Sequence, residues 1–241
     1  MYRAMIEVIN KNIKSADDYL LPYLQFSPEK NQNNKSIIIV YEIFGLTNHI
    51  KNLAEEYAKN GFLVVIPDLF SRLESNINLP YNTDGFSKGL SLKNKLGWDL
   101  PVMDIVALAA TLRLERSVNI LGFCYGGSLA WLAMQKSFIF EKGVCYYGSS
   151  IPEFLELNVN CPGLLHFGKE DKGIPPSSLE KVKTYIKKNK NKVELFEYEN
   201  ADHGFNCSQR KSYNKMAAEE AFEKTIKFLK DWKLTLLQHF Y

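Results

Sequence analysis

The chain has 241 residues, 46% hydrophobic and 24% charged, a composition that excludes intrinsic disorder and permits a sizeable core without disulfide or metal staples. Its 30 basic and 27 acidic residues leave a net charge of +3, which argues against a dedicated nucleic-acid surface built from clustered cations. It has no run of about 18 apolar residues, so no transmembrane helix is expected.

Apolar runs alternate with helical patterns along the chain. The segments Ala4 to Ile9 and Tyr19 to Phe26 read as antiparallel edge strands. Ser36 to Tyr41 (SIIIVY) is a short β-branched run, expected to be a buried strand. His49 to Asn60 reads as a helix closed by Asn60-Gly61, and Phe62 to Pro67 is a second apolar run. The stretch from Asp68 to Gly97 shows no regular pattern, and a stretch of that length is expected to be functional or partly helical. Pro101 to Arg113 follows helical spacing through Val102, Ile105, Val106 and Ala109. Strands then follow at Val118 to Gly122, Lys142 to Tyr147, Gly163 to Phe167 and Val193 to Tyr198. Between them lie helical segments at Gly126 to Gln135 and Ser177 to Lys188, and Ser212 to Trp232 closes the chain. Such alternation implies right-handed crossovers and a mainly parallel, twisted α/β sheet flanked by helices on both faces. No linker or internal repeat divides residues 1–241, so one domain is expected.

The sharpest local signal is Gly122-Phe123-Cys124-Tyr125-Gly126-Gly127, which fits G-x-C-x-G, the thiol form of a nucleophile elbow. A strand runs into it and a helix leaves it, so Cys124 stands at a helix N-terminus whose partial positive charge favours an anion. Read the bland way, Cys124 is a buried structural thiol in a glycine-rich turn. An acid and then a His must follow the nucleophile in hydrolases of this kind. Asp171 follows the strand ending at Phe167, and His203 follows the strand ending at Tyr198, each at a carboxyl edge where ligands bind in open α/β sheets. His203 would take the thiol proton and Asp171 would orient the imidazole. Glu170 and Asp202 are rivals for the acid, and a turn residue and a surface histidine are the bland alternatives. Backbone amides would complete an oxyanion hole, one from Tyr125 and the other from Ile43 in the loop after SIIIVY.

Taken with these residues, the chain resembles the dienelactone hydrolase family of α/β-hydrolases. The matching pieces are Glu42-Ile43-Phe44-Gly45, Gly61-Phe62 with Val65-Ile66-Pro67-Asp68-Leu69-Phe70, the Cys124 elbow, Asp171 and His203-Gly204-Phe205. The closing segment from Tyr213 through Ala217-Ala218 to Trp232 also follows the family pattern. The resemblance implies an α/β-hydrolase fold, Cys124 as nucleophile, His203 as base and Asp171 as third member. It also implies that Glu42 pairs with the thiol in the resting enzyme and assists its ionisation; the alternative is a carboxylate that anchors its loop. The implied activity is hydrolysis of a small ester or lactone through a thioester acyl-enzyme.

One position departs from the family. Members acting on dienelactones hold the substrate carboxylate with arginines, one of them four residues after the catalytic His, where this chain has Cys207. Arg72, Lys88 and Arg210 are cations without a spacing that assigns them to a pocket, and Tyr81, Phe86 and Trp98 either line a pocket or pack. A non-catalytic binding or regulatory protein on the same scaffold, and acyl transfer to an acceptor other than water, remain open. Cys145, Cys161, His49, His166 and His239 read as structural or exposed. No cofactor or metal is expected, since there is no phosphate-binding glycine loop and no ligand spacing among His and Cys. The absence of C-x-x-C pairs and of a signal-like start points to a reducing cytoplasm, and a monomer is the default expectation.

Overall fold

The computed structural model describes residues 6–29, 34–188 and 192–231. Eight strands form a single sheet in the order β1-β2-β4-β3-β5-β6-β7-β8. Strands β3 (Lys35–Val40), β4 (Leu63–Pro67), β5 (Ser117–Phe123), β6 (Phe140–Tyr146), β7 (Gly163–Gly168) and β8 (Val193–Tyr198) run parallel. The hairpin β1 (Glu7–Lys14) and β2 (Leu20–Ser27) adds two antiparallel strands against β4. Every residue of β3, β4 and β7 is buried, as expected for strands covered by helices on both faces. The apolar runs within them are therefore a consequence of position in the sheet, with Lys35, Ser36 and His166 as buried exceptions.

Helices α1 (Asn48–Lys59), α2 (Thr83–Leu96), α3 (Asp99–Arg113), α4 (Tyr125–Lys136), α5 (Pro176–Lys188) and α6 (Lys215–Lys230) connect or cover the strands. The Asn60-Gly61 stop behaves as expected: Asn60 caps α1 and Gly61 takes a positive φ of 89°, open to glycine at little cost. Helix α6 begins at Lys215, capped by the Asn214 side chain accepting from the Ala217 N–H at 3.1 Å, slightly later than its sequence pattern predicts. Strand β1 runs beyond Ile9 to Lys14; its mostly exposed residues give little apolar alternation to read. Ala4, Trp232, His239 and part of the basic run at 187–190 fall outside the described residues.

The stretch Asp68 to Gly97 is largely ordered structure. A short 3-10 turn at Leu69–Arg72 precedes α2, whose first turn is capped by Asn82 accepting from the Gly85 N–H at 2.9 Å. Helix α2 hides from sequence periodicity because its contact face includes Gly85 and Gly89. A Cβ at Gly89 would overlap the carbonyl of Ile43, so α2 lies directly on the loop after β3.

From β3 the chain passes to β4 on one side and then crosses back to β5 on the other. The reversal opens a crevice at the carboxyl ends of β3 and β5, the place where open α/β sheets bind ligands. The loop carrying Glu42 and the turn carrying Cys124 leave these two strands side by side, with Val40 paired to Gly122.

Candidate active site

Cys124 sits between β5 and α4 with φ 56° and ψ −116°, a conformation rare for any residue with a side chain. The surroundings force it. A Cβ at Gly122 would strike the carbonyl of Gly126, and one at Gly126 would strike that of Val40, so strand and helix approach as only glycines allow. The Cys124 N–H donates to the Tyr146 carbonyl at 3.0 Å, tying the turn to β6. As the first residue of α4, Tyr125 has an N–H with no intrahelical acceptor, while its side-chain hydroxyl donates to the Gly97 carbonyl at 2.6 Å.

The structure brings Cys124, His203 and Asp171 together. His203 Nε2 lies 3.1 Å from Cys124 Sγ, and His203 Nδ1 lies 2.8 Å from Asp171 Oδ2. Asp171 is buried, and its Oδ1 accepts the Gly173 N–H at 2.8 Å, which fixes the carboxylate. Of the two other acids, Glu170 is exposed, and Asp202 turns its carboxylate to the His203 backbone N–H at 2.6 Å. Burial alone would lower the proton affinity of His203. The charge at Cys124 and the hydrogen bonds to Asp171 and Cys124 outweigh burial and push it up to about 10. The arrangement favours a protonated imidazole beside Cys124 Sγ.

Glu42 is fully buried in the loop after β3, but its partner is Arg210, whose Nη1 lies 3.3 Å from Glu42 Oε1. The thiol faces His203, so the pairing of Glu42 with the thiol implied by family resemblance is not the arrangement present. Arg210 reaches the site from the turn after His203 and lies over the Phe44 ring at 5.6 Å. Gly204, with φ 78°, lets it in, since a Cβ there would collide with the guanidinium. No sequence spacing assigned Arg210, because its direction depends on the path of this turn. Cys207 is buried nearby, its thiol pushed up to about 11 by burial first and Glu42 next, so a neutral group occupies that position.

The remaining candidate cations are committed elsewhere. Arg72 is clamped by Asp104 at 2.7 Å and Asp17 at 2.8 Å, and Lys88 pairs with Glu74 at 2.6 Å. Among the aromatics, Tyr81 bonds Thr47 at 2.9 Å and packs on Phe44, Trp98 packs between Tyr125 and Phe154, and Phe86 is half exposed. His166 is a buried structural residue held by Tyr198 and Thr225 at 2.8 and 3.0 Å. Sequence reading passed over Tyr147, which follows β6 directly. It is buried, has φ 38°, and its ring stands edge-on to His203 at 5.1 Å between centroids. Among the described residues, no group of three or more His, Cys, Asp or Glu is arranged to hold a metal, and no helix is long and apolar enough to cross a membrane.

Residues 22–233 match the dienelactone hydrolase family. A protein of Synechocystis sp., provisionally named a carboxymethylenebutenolidase, is 30% identical over 203 residues, spanning 78% of this chain and 82% of its own. The carboxymethylenebutenolidase of Pseudomonas putida is 27% identical, across 90% of this chain and 94% of its own. A provisionally assigned dienelactone hydrolase structure from Klebsiella pneumoniae superposes with a TM-score of 0.81 at 23% identity, covering 95% of this chain and all of that one (100%). An esterase structure from Pyrococcus furiosus gives 0.66 at 17% identity, covering 93% and 92%. The two structures speak for the α/β-hydrolase fold. With the family match across nearly the whole sequence, the chain belongs to the dienelactone hydrolase family and is, by that membership, a carboxylic ester hydrolase.

Proposed function

We propose that the protein, working as one domain, hydrolyses a small ester or lactone through a Cys124–His203–Asp171 triad and a thioester acyl-enzyme. The observation that carries this reading is the unbroken hydrogen-bonded chain Cys124 Sγ, His203 Nε2, His203 Nδ1, Asp171 Oδ2, with links of 3.1 and 2.8 Å. The thiolate adds to the substrate carbonyl, forming the S–C bond while the carbonyl oxygen becomes an oxyanion. The N–H groups of Tyr125 and Ile43 stabilise that oxyanion. His203 then gives its proton to the departing alcohol oxygen as the C–O bond breaks. Water adds to the thioester and passes a proton to neutral His203, and the C–S bond breaks to release the acid. Asp171 holds the imidazole in the tautomer this cycle needs and stabilises its cation. In this reading His203 ionises the thiol, and Glu42 shapes the pocket wall through Arg210.

A chromogenic ester and intact-mass spectrometry test the reading together. Native protein should turn over the ester and carry a single acyl adduct during turnover, while Cys124→Ala should show neither. Turnover by Cys124→Ala at the native rate would end it, and an inert Cys124 in the native protein would favour a binding role.

A further inference from the structure

A cavity of about 280 Å³ lies between α3, α4 and the 3-10 turn Ile151–Glu153. None of Cys124, Asp171 and His203 lines it. Its wall is apolar: Trp98 and Phe154 line it with Val102 and Leu132, the last two buried. The Trp98 ring stands edge-on to Phe154 at 5.1 Å between centroids and also packs on Tyr125 at 5.2 Å, so both rings of the wall are fixed. A mostly apolar hollow with a few polar groups is the form that small-molecule sites take, and this one is at the small end of their range.

The polar groups are of one kind. Gln135, only 8% exposed, lines the cavity. Its Nε2 donates to the carbonyls of Phe154 and Leu157 at 2.7 and 2.6 Å, which uses both amide hydrogens and fixes the orientation of the group. Its Oε1 has no hydrogen-bond partner among the described residues, and it is not one of the unpartnered atoms sealed from solvent. In a side chain so deeply buried, the cavity is where that acceptor opens. The rim carries three exposed acids, Asp99, Glu153 and Glu156, against one exposed cation, Lys136. None of these four side chains forms an ion pair or hydrogen bond among the described residues. Asp99 stands in the first turn of α3, whose dipole already complements its charge. Glu153 and Glu156 are thus acids that nothing among the described residues pairs. Trp98 already serves as a platform for a cation, since Lys93 holds its ammonium 5.1 Å from the ring centroid.

A primary ammonium brings a positive charge and three N–H donors, and accepts nothing. A carboxylate here would meet Glu153, Glu156 and the Gln135 oxygen, and a neutral alcohol would gain nothing from the acids. We infer that this cavity is a binding site for a small organic ammonium ion with an apolar body. Its N–H would donate to Gln135 Oε1, its charge would be held by Glu153 and Glu156, and its body would pack on Trp98 and Phe154. The site stands apart from the ester-hydrolase reading and does not depend on it.

The test is calorimetric titration in low-salt buffer with 2-phenylethylammonium, 2-phenylethanol and 3-phenylpropionate, which share a body and differ in charge. Native protein should bind the ammonium at millimolar concentrations, roughly tenfold or more tightly than the alcohol. The propionate should bind more weakly than the alcohol. Glu153→Gln combined with Glu156→Gln should bring the ammonium-to-alcohol ratio to about one. Both positions are exposed, so the double variant should keep the native near-ultraviolet circular dichroism. In NMR spectra of the native protein, the Trp98 indole and Gln135 side-chain amide resonances should move on addition of the ammonium. No binding of the ammonium at millimolar concentrations, or binding of the alcohol or propionate at least as tight, would overturn the inference. So would resonance shifts that leave Trp98 and Gln135 unmoved, or an ammonium preference unchanged in the double variant. Ester turnover is not a readout, so the fate of the triad does not touch this result.

Discussion

Cys124 occupies a left-handed conformation that costs on the order of 1–3 kcal/mol for a residue with a Cβ. The strain holds because the adjoining strands and helix over-determine it through Gly122 and Gly126. It aims the sulfur at His203, and this contact makes two predictions. In Cys124→Ala the charge that raises the imidazole's proton affinity is gone while burial remains. The His203 titration followed by NMR should then move down from about 10. In the proposed cycle the leaving alcohol takes its proton from the imidazolium, which a raised proton affinity preserves below that value. Activity should therefore persist above neutrality, and kcat/KM should fall as pH rises through about 10. A flat profile there would mean that His203 does not supply the proton. Asp171→Asn keeps the shape but not the charge, and should lower kcat by roughly 10³–10⁴-fold, as loss of the orienting acid does in comparable triads. Single-turnover rates would measure it, and a change under tenfold would remove Asp171 from the triad.

At the scale of elements, the helices hold the loops that carry the site. Helix α2 presses Gly89 on the Ile43 carbonyl and so fixes the loop proposed to offer the second oxyanion amide. Helix α6 is secured from below by Lys142, fully buried at the start of β6, which donates to the Phe228 and Asp231 carbonyls at 2.6 Å each. These are carbonyls a helix C-terminus leaves unpaired. Burial first and the nearby Lys35 charge next lower the proton affinity of Lys142, which its acidic neighbours partly restore. Lys142→Met keeps the stem and removes the donor, leaving both carbonyls without this partner. It should cost about 1–3 kcal/mol in urea denaturation, with α6 showing the earliest loss of hydrogen-exchange protection. Equal protection in both proteins would show that the ammonium does not hold the helix.

Across the whole molecule, one buried charge network joins the hairpin edge of the sheet to the helical layer. Arg72 bonds Asp104 of α3 through Nε and Nη2, both at 2.7 Å, and reaches Asp17 in the β1–β2 turn. Ser15 donates to the same Asp104 at 2.5 Å. Asp104 has no solvent exposure, so Arg72→Met would strand a buried carboxylate, a change that typically costs about 3–5 kcal/mol. Urea denaturation should show that loss, while kcat/KM of the folded protein should stay at the native value, because the guanidinium bonds Asp104 and Asp17 and lies over the Tyr19 ring. A selective loss of activity without loss of stability would place Arg72 in the pocket after all.

Much of this architecture is written locally. The buried strands read directly because, covered on both faces, they are largely apolar. The elbow read because only glycine tolerates the approach of strand and helix at 122 and 126. Cys124, Asp171 and His203 read because each follows a strand that periodicity alone marks out. Helix α2 did not read, since its buried face mixes Gly85 and Gly89 with Leu92 and Leu96, and the glycines press on backbone carbonyls. The choice of Asp171 over Glu170 and Asp202 belonged to the tertiary structure, because adjacent acids differ only in the direction each turn points them. The same holds for Glu42, which the folded turn after His203 pairs with Arg210 rather than with the thiol. Composition and periodicity specify which segments are buried and extended; what meets across the crevice is set by loop direction and packing, and no local pattern encodes these.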